Sequence, residues 1–147
     1  MHAFTQFSLM LGAAILGIAA LWHFYWVMGG RAGLVVAIPE KNNEPLFTPS
    51  RMATTAVAFG MASIAVLFAA VASGVLQNSP GATLALCICS LVFLGRAIVD
   101  FGYVGFFKSH TGTAFAKADN RYYSPLCLFL SIAGLSAAAP TIVQLIG

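Results

Sequence analysis

The sequence predicts an all-α fold, an integral membrane four-helix bundle forming a single transmembrane domain over residues 1–147. Three observations carry that reading. Hydrophobic residues make up 60% of the chain and charged residues 7%, against about 25% charged in an ordinary soluble domain, so no water-facing surface can be assembled from it. Four apolar stretches are each long enough to cross a hydrocarbon layer of about 30 Å as a helix. The breaks between them fall at glycine, proline and hydroxyl residues, which stop and start helices.

The first span is predicted over residues 4–28. It has no basic n-region, and its apolar run exceeds the roughly 7–15 residues of a signal-peptide core, so it is expected to be retained. Trp22, Tyr25 and Trp26 crowd its end, where a membrane interface favours aromatic rings. Gly29-Gly30 then close the helix. Ser8, Gly12, Ala19 and His23 fall near one line at helical spacing, a smooth seam for a neighbouring helix. Residues 29–47 follow as the longest connection. Their apolar centre is too short to cross a bilayer, and Pro39 and Pro45 argue against regular structure, so a loop at the interface is expected.

The remaining spans are predicted over 49–76, 80–107 and 125–146. Thr48-Pro49, Ser79-Pro80 and Ser124-Pro125 each offer a hydroxyl N-cap followed by proline at the first helical position. Pro140 removes one backbone bond from the last span and should bend it near Ser136. Arg31, Lys41 and Arg51 lie in or beside the first connection, and Lys108, Lys117 and Arg121 in the third. This asymmetry over short loops places both connections in the cytoplasm and both termini away from it. It also argues against a dual-topology antiparallel dimer. The net charge of +3 is small and confined to loops, which gives no support to nucleic-acid binding.

The third span carries the chemistry. Arg96 and Asp100 stand four residues apart, and Cys89, Arg96, Asp100 and Tyr103 share one side of a helix. Lipid cannot solvate that side, so it must face other helices or a wet cavity. The two charges are spaced either to pair with each other and fix packing, or to form a site that handles an anion or a proton. On an unbroken helix Arg96 lies about 18 Å from Lys108, and Asp100 about 12 Å from it. His23 lies about 7–8 Å from the cytoplasmic end of the first span. The loops bearing Glu40, Glu44, His110, Asp119, Tyr122 and Tyr123 close over the same mouth. The expectation is one polar pocket facing the cytoplasmic leaflet. Its ligand-binding residues are Arg96, Asp100, Tyr103, His23, Glu40, Lys108, Asp119, Tyr122 and Tyr123.

His23 and Asp100 are the acid–base candidates, and no catalytic residue is assigned. His23 is the one histidine at membrane depth, so the chain supplies no two-histidine face for haem or metal. Its three cysteines show no CxxC or Cys/His spacing. A Ser-His-Asp order, a phosphate loop, a dinucleotide fingerprint and HExxH are all absent from the sequence. No metal is expected, and the pattern identifies no cofactor.

Longer motifs run through the chain: His23-Phe24-Tyr25-Trp26 with Gly29-Gly30, Pro39-Glu40, Arg96–Phe101, and Tyr103–Lys108. Phe115-Ala116, Asp119 and Tyr122–Cys127 complete the set. In these the sequence resembles an uncharacterised bacterial family, the domain of unknown function 3995, over nearly its whole length. The resemblance implies a four-helix inner-membrane protein and brings no assigned activity. The motif positions include His23, Glu40, Arg96, Asp100, Tyr103, Lys108, Asp119, Tyr122 and Tyr123, which the depth argument also reaches.

Three functions fit. One is binding or transport of a small amphipathic or anionic ligand, lipid-like or quinone-like, with Arg96 and Lys108 meeting negative charge. A second is a membrane enzyme on a lipid-soluble substrate with His23 or Asp100 as acid or base. The third is an accessory subunit whose polar residues only hold helices or a partner. The bilayer is the one obligatory partner; further copies of the chain or a larger membrane complex are the others considered.

Overall fold

A computed structural model describes residues 2–41, 44–98 and 102–146. Helix α1 (Ala3–Val27) leads through a short α2 (Leu34–Ala37) and a small hairpin, β1 (Glu40–Lys41) and β2 (Glu44–Pro45), to α3 (Arg51–Ala72). Helix α4 (Pro80–Ile98) follows. A second connection then carries α5 (Ala114–Ala118) and a wide π-turn (Asp119–Tyr123) directly into α6 (Ser124–Ile146). Four helical stretches are long and apolar enough to cross a membrane, the last running with its preceding turns from Ala114 to Gln144. The chain is a multi-pass, all-α membrane protein. At about 1.5 Å per residue α6 alone extends about 34 Å, enough to cross the hydrocarbon core, so α5 and the π-turn fall in the connection at its mouth.

The helices pair in chain order. Helix α1 packs chiefly on α3 and α4 on α6, with α1 against α6 joining the two pairs. Both pairs are antiparallel. Gln6, near the start of α1, donates to the Ala72 carbonyl at the end of α3 (3.4 Å). Thr141, late in α6, donates to the Gln77 carbonyl just before α4 (3.5 Å). All four helices converge on Phe68, which is fully buried with Leu9, Leu16, Leu86 and Leu130 around it. The convergence depends on Gly12 and Gly134. A Cβ at Gly12 would lie 3.0 Å from the Phe68 ring, and one at Gly134 only 2.2 Å from Ser90 Oγ. Ser90 and Ser131 hydroxyls are buried without a hydrogen-bond partner among the described residues. The expected α1 seam holds in part: Ser8 and Gly12 are buried, whereas Ala19 and His23 are half-buried.

The helix boundaries depart from expectation at three places, each for a local reason. Helix α3 starts at Arg51, because the Ser50 hydroxyl, not Thr48, accepts from the Ala53 N–H (3.1 Å). Ser79 does cap α4, accepting from Ala82 N (3.4 Å). The third span does not continue to residue 107. Helix α4 is described to Ile98, and by Gly102 (φ +76°) and Gly105 (φ +89°) the chain has turned back, with Phe106 N donating to the Ala97 carbonyl (2.7 Å). Left-handed backbone of this kind is accessible to glycine and cannot lie within a helix. Ser124-Pro125, finally, opens α6 but is not a free helix start. Helical backbone begins at Ala114, capped by Thr113 (3.1 Å from Ala116 N), and widens to a π-turn just before Pro125. Proline has no N–H for the carbonyl four residues back and its ring clashes there, so a wider turn accommodates it.

Both long connections sit at the same end of the bundle and are tied together. Tyr123 Oη donates to the Val36 carbonyl in α2 (3.2 Å), and the Ala114 N–H donates to Glu40 Oε1 (2.8 Å).

Candidate functional site

The loop end of the α4–α6 pair is built around one carboxylate. Asp119 opens the π-turn and is wholly buried. Its Oδ1 accepts from Arg96 Nη2 at 2.6 Å. Its Oδ2 accepts from Lys108 Nζ (2.9 Å), the Gly105 N–H (3.0 Å) and the Ser124 hydroxyl (3.1 Å). A carboxylate offers about four lone-pair positions, two on each oxygen, so Oδ2 is fully used and Oδ1 is taken up by Arg96 with one position over. Lys108 is equally committed: its buried ammonium has three protons, and Asp119, the Gly105 carbonyl (2.6 Å) and Asn120 Oδ1 receive them. Burial alone would raise the Asp119 carboxyl; hydrogen bonds from Lys108 and Arg96, and their charges, outweigh it and hold the group below the ordinary aspartate range.

The fold makes this cluster possible in a specific way. The turn at Gly102–Gly105 brings Lys108 back onto the end of α4, so Lys108 and Arg96 meet at Asp119 instead of lying about 18 Å apart along a helix. The π-turn places Asp119 and Ser124 on the same side, so the hydroxyl reaches the carboxylate five residues back. Among the described residues Arg96 pairs with Asp119. Asp100 itself lies outside the described residues. What the cluster does chemically is pair a buried carboxylate with two cations and hold the second connection against α4 and α6.

A second feature occupies the loop end of the α1–α3 pair. A cleft of about 660 Å³ opens between the end of α1, α2, the hairpin and the start of α3. Trp26, Leu34, Ile38, Phe47 and Val57 form apolar walls, with His23, Ser50 and Arg51 among the polar lining. His23 Nδ1 lies 2.7 Å from the Ala19 carbonyl, which can only accept. Nδ1 therefore carries the proton, and Nε2 is left as the ring's other polar atom. Trp26 packs edge-on against His23 (4.8 Å) and donates its indole N–H to the Ala32 carbonyl (2.8 Å).

The model of a family described as a protein of unknown function (DUF3995) matches residues 16–134. The chain belongs to that family. Both features, from His23 to Ser124, lie within the matched residues, so the family domain contains the carboxylate cluster and the cleft together. No curated protein and no solved structure matches the chain.

The single recess expected from sequence is thus divided in two within this family member. Arg96, Lys108 and Asp119 form the cluster on α4 and α6, while His23 belongs to the cleft on α1 and α3. Glu40 and Tyr123 belong to neither interior; they supply the two ties between connections. Tyr103 stacks on His110 (4.2 Å between ring centroids, 15° between planes), whose Nδ1 lies 3.0 Å from the Gly102 carbonyl. Tyr122 is exposed, with the Arg121 guanidinium 5.4 Å over its ring. Sequence reasoning missed Gly105, Asn120, Ser124 and Arg51. A signal for the first three was available: the chain has only four acidic residues, two of them in the first connection, and two glycines three apart follow Asp100. A break there leaves Asp119 free to serve both Arg96 and Lys108.

Proposed function

We propose that this is a bacterial inner-membrane protein that binds a small lipid-soluble amphiphile in the cleft between α1, α2 and α3, at the cytoplasmic leaflet. The observation that carries the reading is the cleft itself: a volume of about 660 Å³ with apolar walls and a few polar groups, among them His23 and Arg51. Such a lining suits a molecule with an apolar body and a polar head. Arg31, Lys41, Arg51, Lys117 and Arg121 all belong to the loop end, and no lysine or arginine belongs to the other, which supports a cytoplasmic position for the cleft. The Asp119 cluster serves as the scaffold. Its lysine is buried and fully hydrogen-bonded and its arginine is paired with Asp119, which favours the cleft as the place for ligand charge.

The test is the thermal stability of the detergent-solubilised full chain during titration with two amphiphiles of different head, decylubiquinone and a short-chain phosphatidylglycerol. At least one is expected to raise the Tm saturably, and Ala53→Phe, which fills the cleft, to abolish the shift. No saturable shift with either probe, or one that survives Ala53→Phe, removes the reading. A second reading, an accessory subunit, draws on the Asp119 cluster, whose polar groups are engaged in holding the second connection to α4 and α6. It expects the protein to co-purify with a larger membrane complex.

A further inference from the structure

We infer that the head of the amphiphile is a phosphodiester, and that the occupant of the cleft is an anionic phospholipid drawn from the surrounding leaflet. This rests on the cleft being a binding site and goes further by assigning the charge and source of its occupant. Arg51 lines the cleft, and among the described residues no carboxylate lies within ion-pairing distance of its guanidinium. Among the described residues no acidic side chain lines the cleft. Glu40, on the adjacent hairpin, is turned to the Ala114 N–H (2.8 Å), and Glu44 is exposed beside Pro45.

The neutral donors have the same bias. The Ser50 oxygen already accepts from Ala53 N, so its hydrogen remains to be given. Thr48 adds a second exposed hydroxyl at the cleft. Of the other polar groups, Thr54 donates to the Ser50 carbonyl (3.0 Å), Trp26 to Ala32 (2.8 Å), and His23 uses Nδ1 on Ala19, which leaves its Nε2. An unpaired arginine beside two hydroxyls matches the acceptor-only oxygens of a phosphodiester. The apolar walls match an acyl chain. Trp22, Tyr25 and Phe47 lie exposed around this end, the depth at which headgroups meet the hydrocarbon.

The sequence contains two tryptophans, so Trp22→Phe leaves Trp26, in the cleft wall, as sole reporter. The full chain carrying that substitution is reconstituted in phosphatidylcholine vesicles with rising fractions of dibrominated phosphatidylglycerol or dibrominated phosphatidylcholine, whose bromines quench indole on contact. Half-quenching is expected at about fivefold lower mole fraction of the anionic lipid, and Arg51→Gln should bring the two curves together. Coincident curves with Arg51 in place, or a preference that persists in Arg51→Gln, would overturn the inference. Ala53→Phe separates the two levels. If it removes the quenching while the lipids quench equally, the cleft binds lipid without selecting charge. If quenching is indifferent to it, the cleft is not a binding site and both readings fall.

Discussion

Lys108 Nζ stands 2.9 Å from Asp119 Oδ2 with both side chains wholly withdrawn from solvent. Truncating one partner of such a pair strands the other. Asp119→Ala, which leaves two cations facing each other, should cost about 3–5 kcal/mol. Lys108→Met should cost less, because Arg96 still neutralises the carboxylate at 2.6 Å. Reversible unfolding in mixed micelles orders the two variants, and equal losses would show that Arg96 does not compensate.

The same carboxylate sets an acid limit. Its folded pKa is depressed, so its contribution is fully present above the ordinary aspartate value of about 3.9 and is lost as pH falls through the lower folded value. Stability should therefore change little through this group between pH 7 and 5 and decline below about pH 4. Asp119→Asn should flatten that decline, which Tm against pH would reveal.

Gly105 has φ +89°, and its N–H is aimed at Asp119 from that conformation. Gly105→Ala should cost about 1–2 kcal/mol in backbone strain. Gly112→Ala is the matched control, since that glycine has ordinary φ and open space where a Cβ would go. Comparable Tm values for the two variants would contradict this account.

Ser90 and Gly134 form the closest approach of α4 to α6. Gly134→Ala would place its methyl 2.2 Å from Ser90 Oγ, so the hydroxyl must rotate or the helices must part. Ser90→Ala discards a buried hydroxyl that has no partner among the described residues, and should be neutral or stabilising alone. It should also restore most of what Gly134→Ala loses. Additive losses in the double variant would place the strain elsewhere.

Tyr123 and Glu40 bind the two connections across 87 and 74 residues of chain. Tyr123→Phe should cost about 0.5–1.5 kcal/mol. Because the tie ends on α2, it should also hasten proteolysis within residues 28–50. An unchanged cleavage rate would mean that α2 is held by packing alone.

The four spans were legible because their signal is repeated along each: a nearly unbroken apolar run about as long as a bilayer requires, and at Ser79 a local cap. The cluster was half legible. Arg96, Lys108 and Asp119 stood out as charges in an apolar chain, yet their mutual arrangement depends on where one helix stops. Periodicity could not report that stop, since Tyr103–Lys108 is apolar enough to read as more helix; only Gly102 and Gly105 marked it. Placing His23 beside these charges used depth alone. Depth fixes height along a bundle and says nothing about which pair of helices a residue faces, and His23 faces α3 and α2. Arg51 was read only as a topology signal because its setting is created by α2 and the hairpin, two elements too short for a sequence pattern to reveal.

Consecutive pairing of α1 with α3 and α4 with α6 bears on how the molecule is made. A nascent chain emerging from the ribosome has a self-complementary first hairpin before any of the second exists. The partners of Asp119 span residues 96–124 and so belong wholly to the later-synthesised half. The buried carboxylate therefore meets both of its cations within one insertion unit, and the translocation machinery never has to hold it alone in lipid while waiting for a distant counterpart.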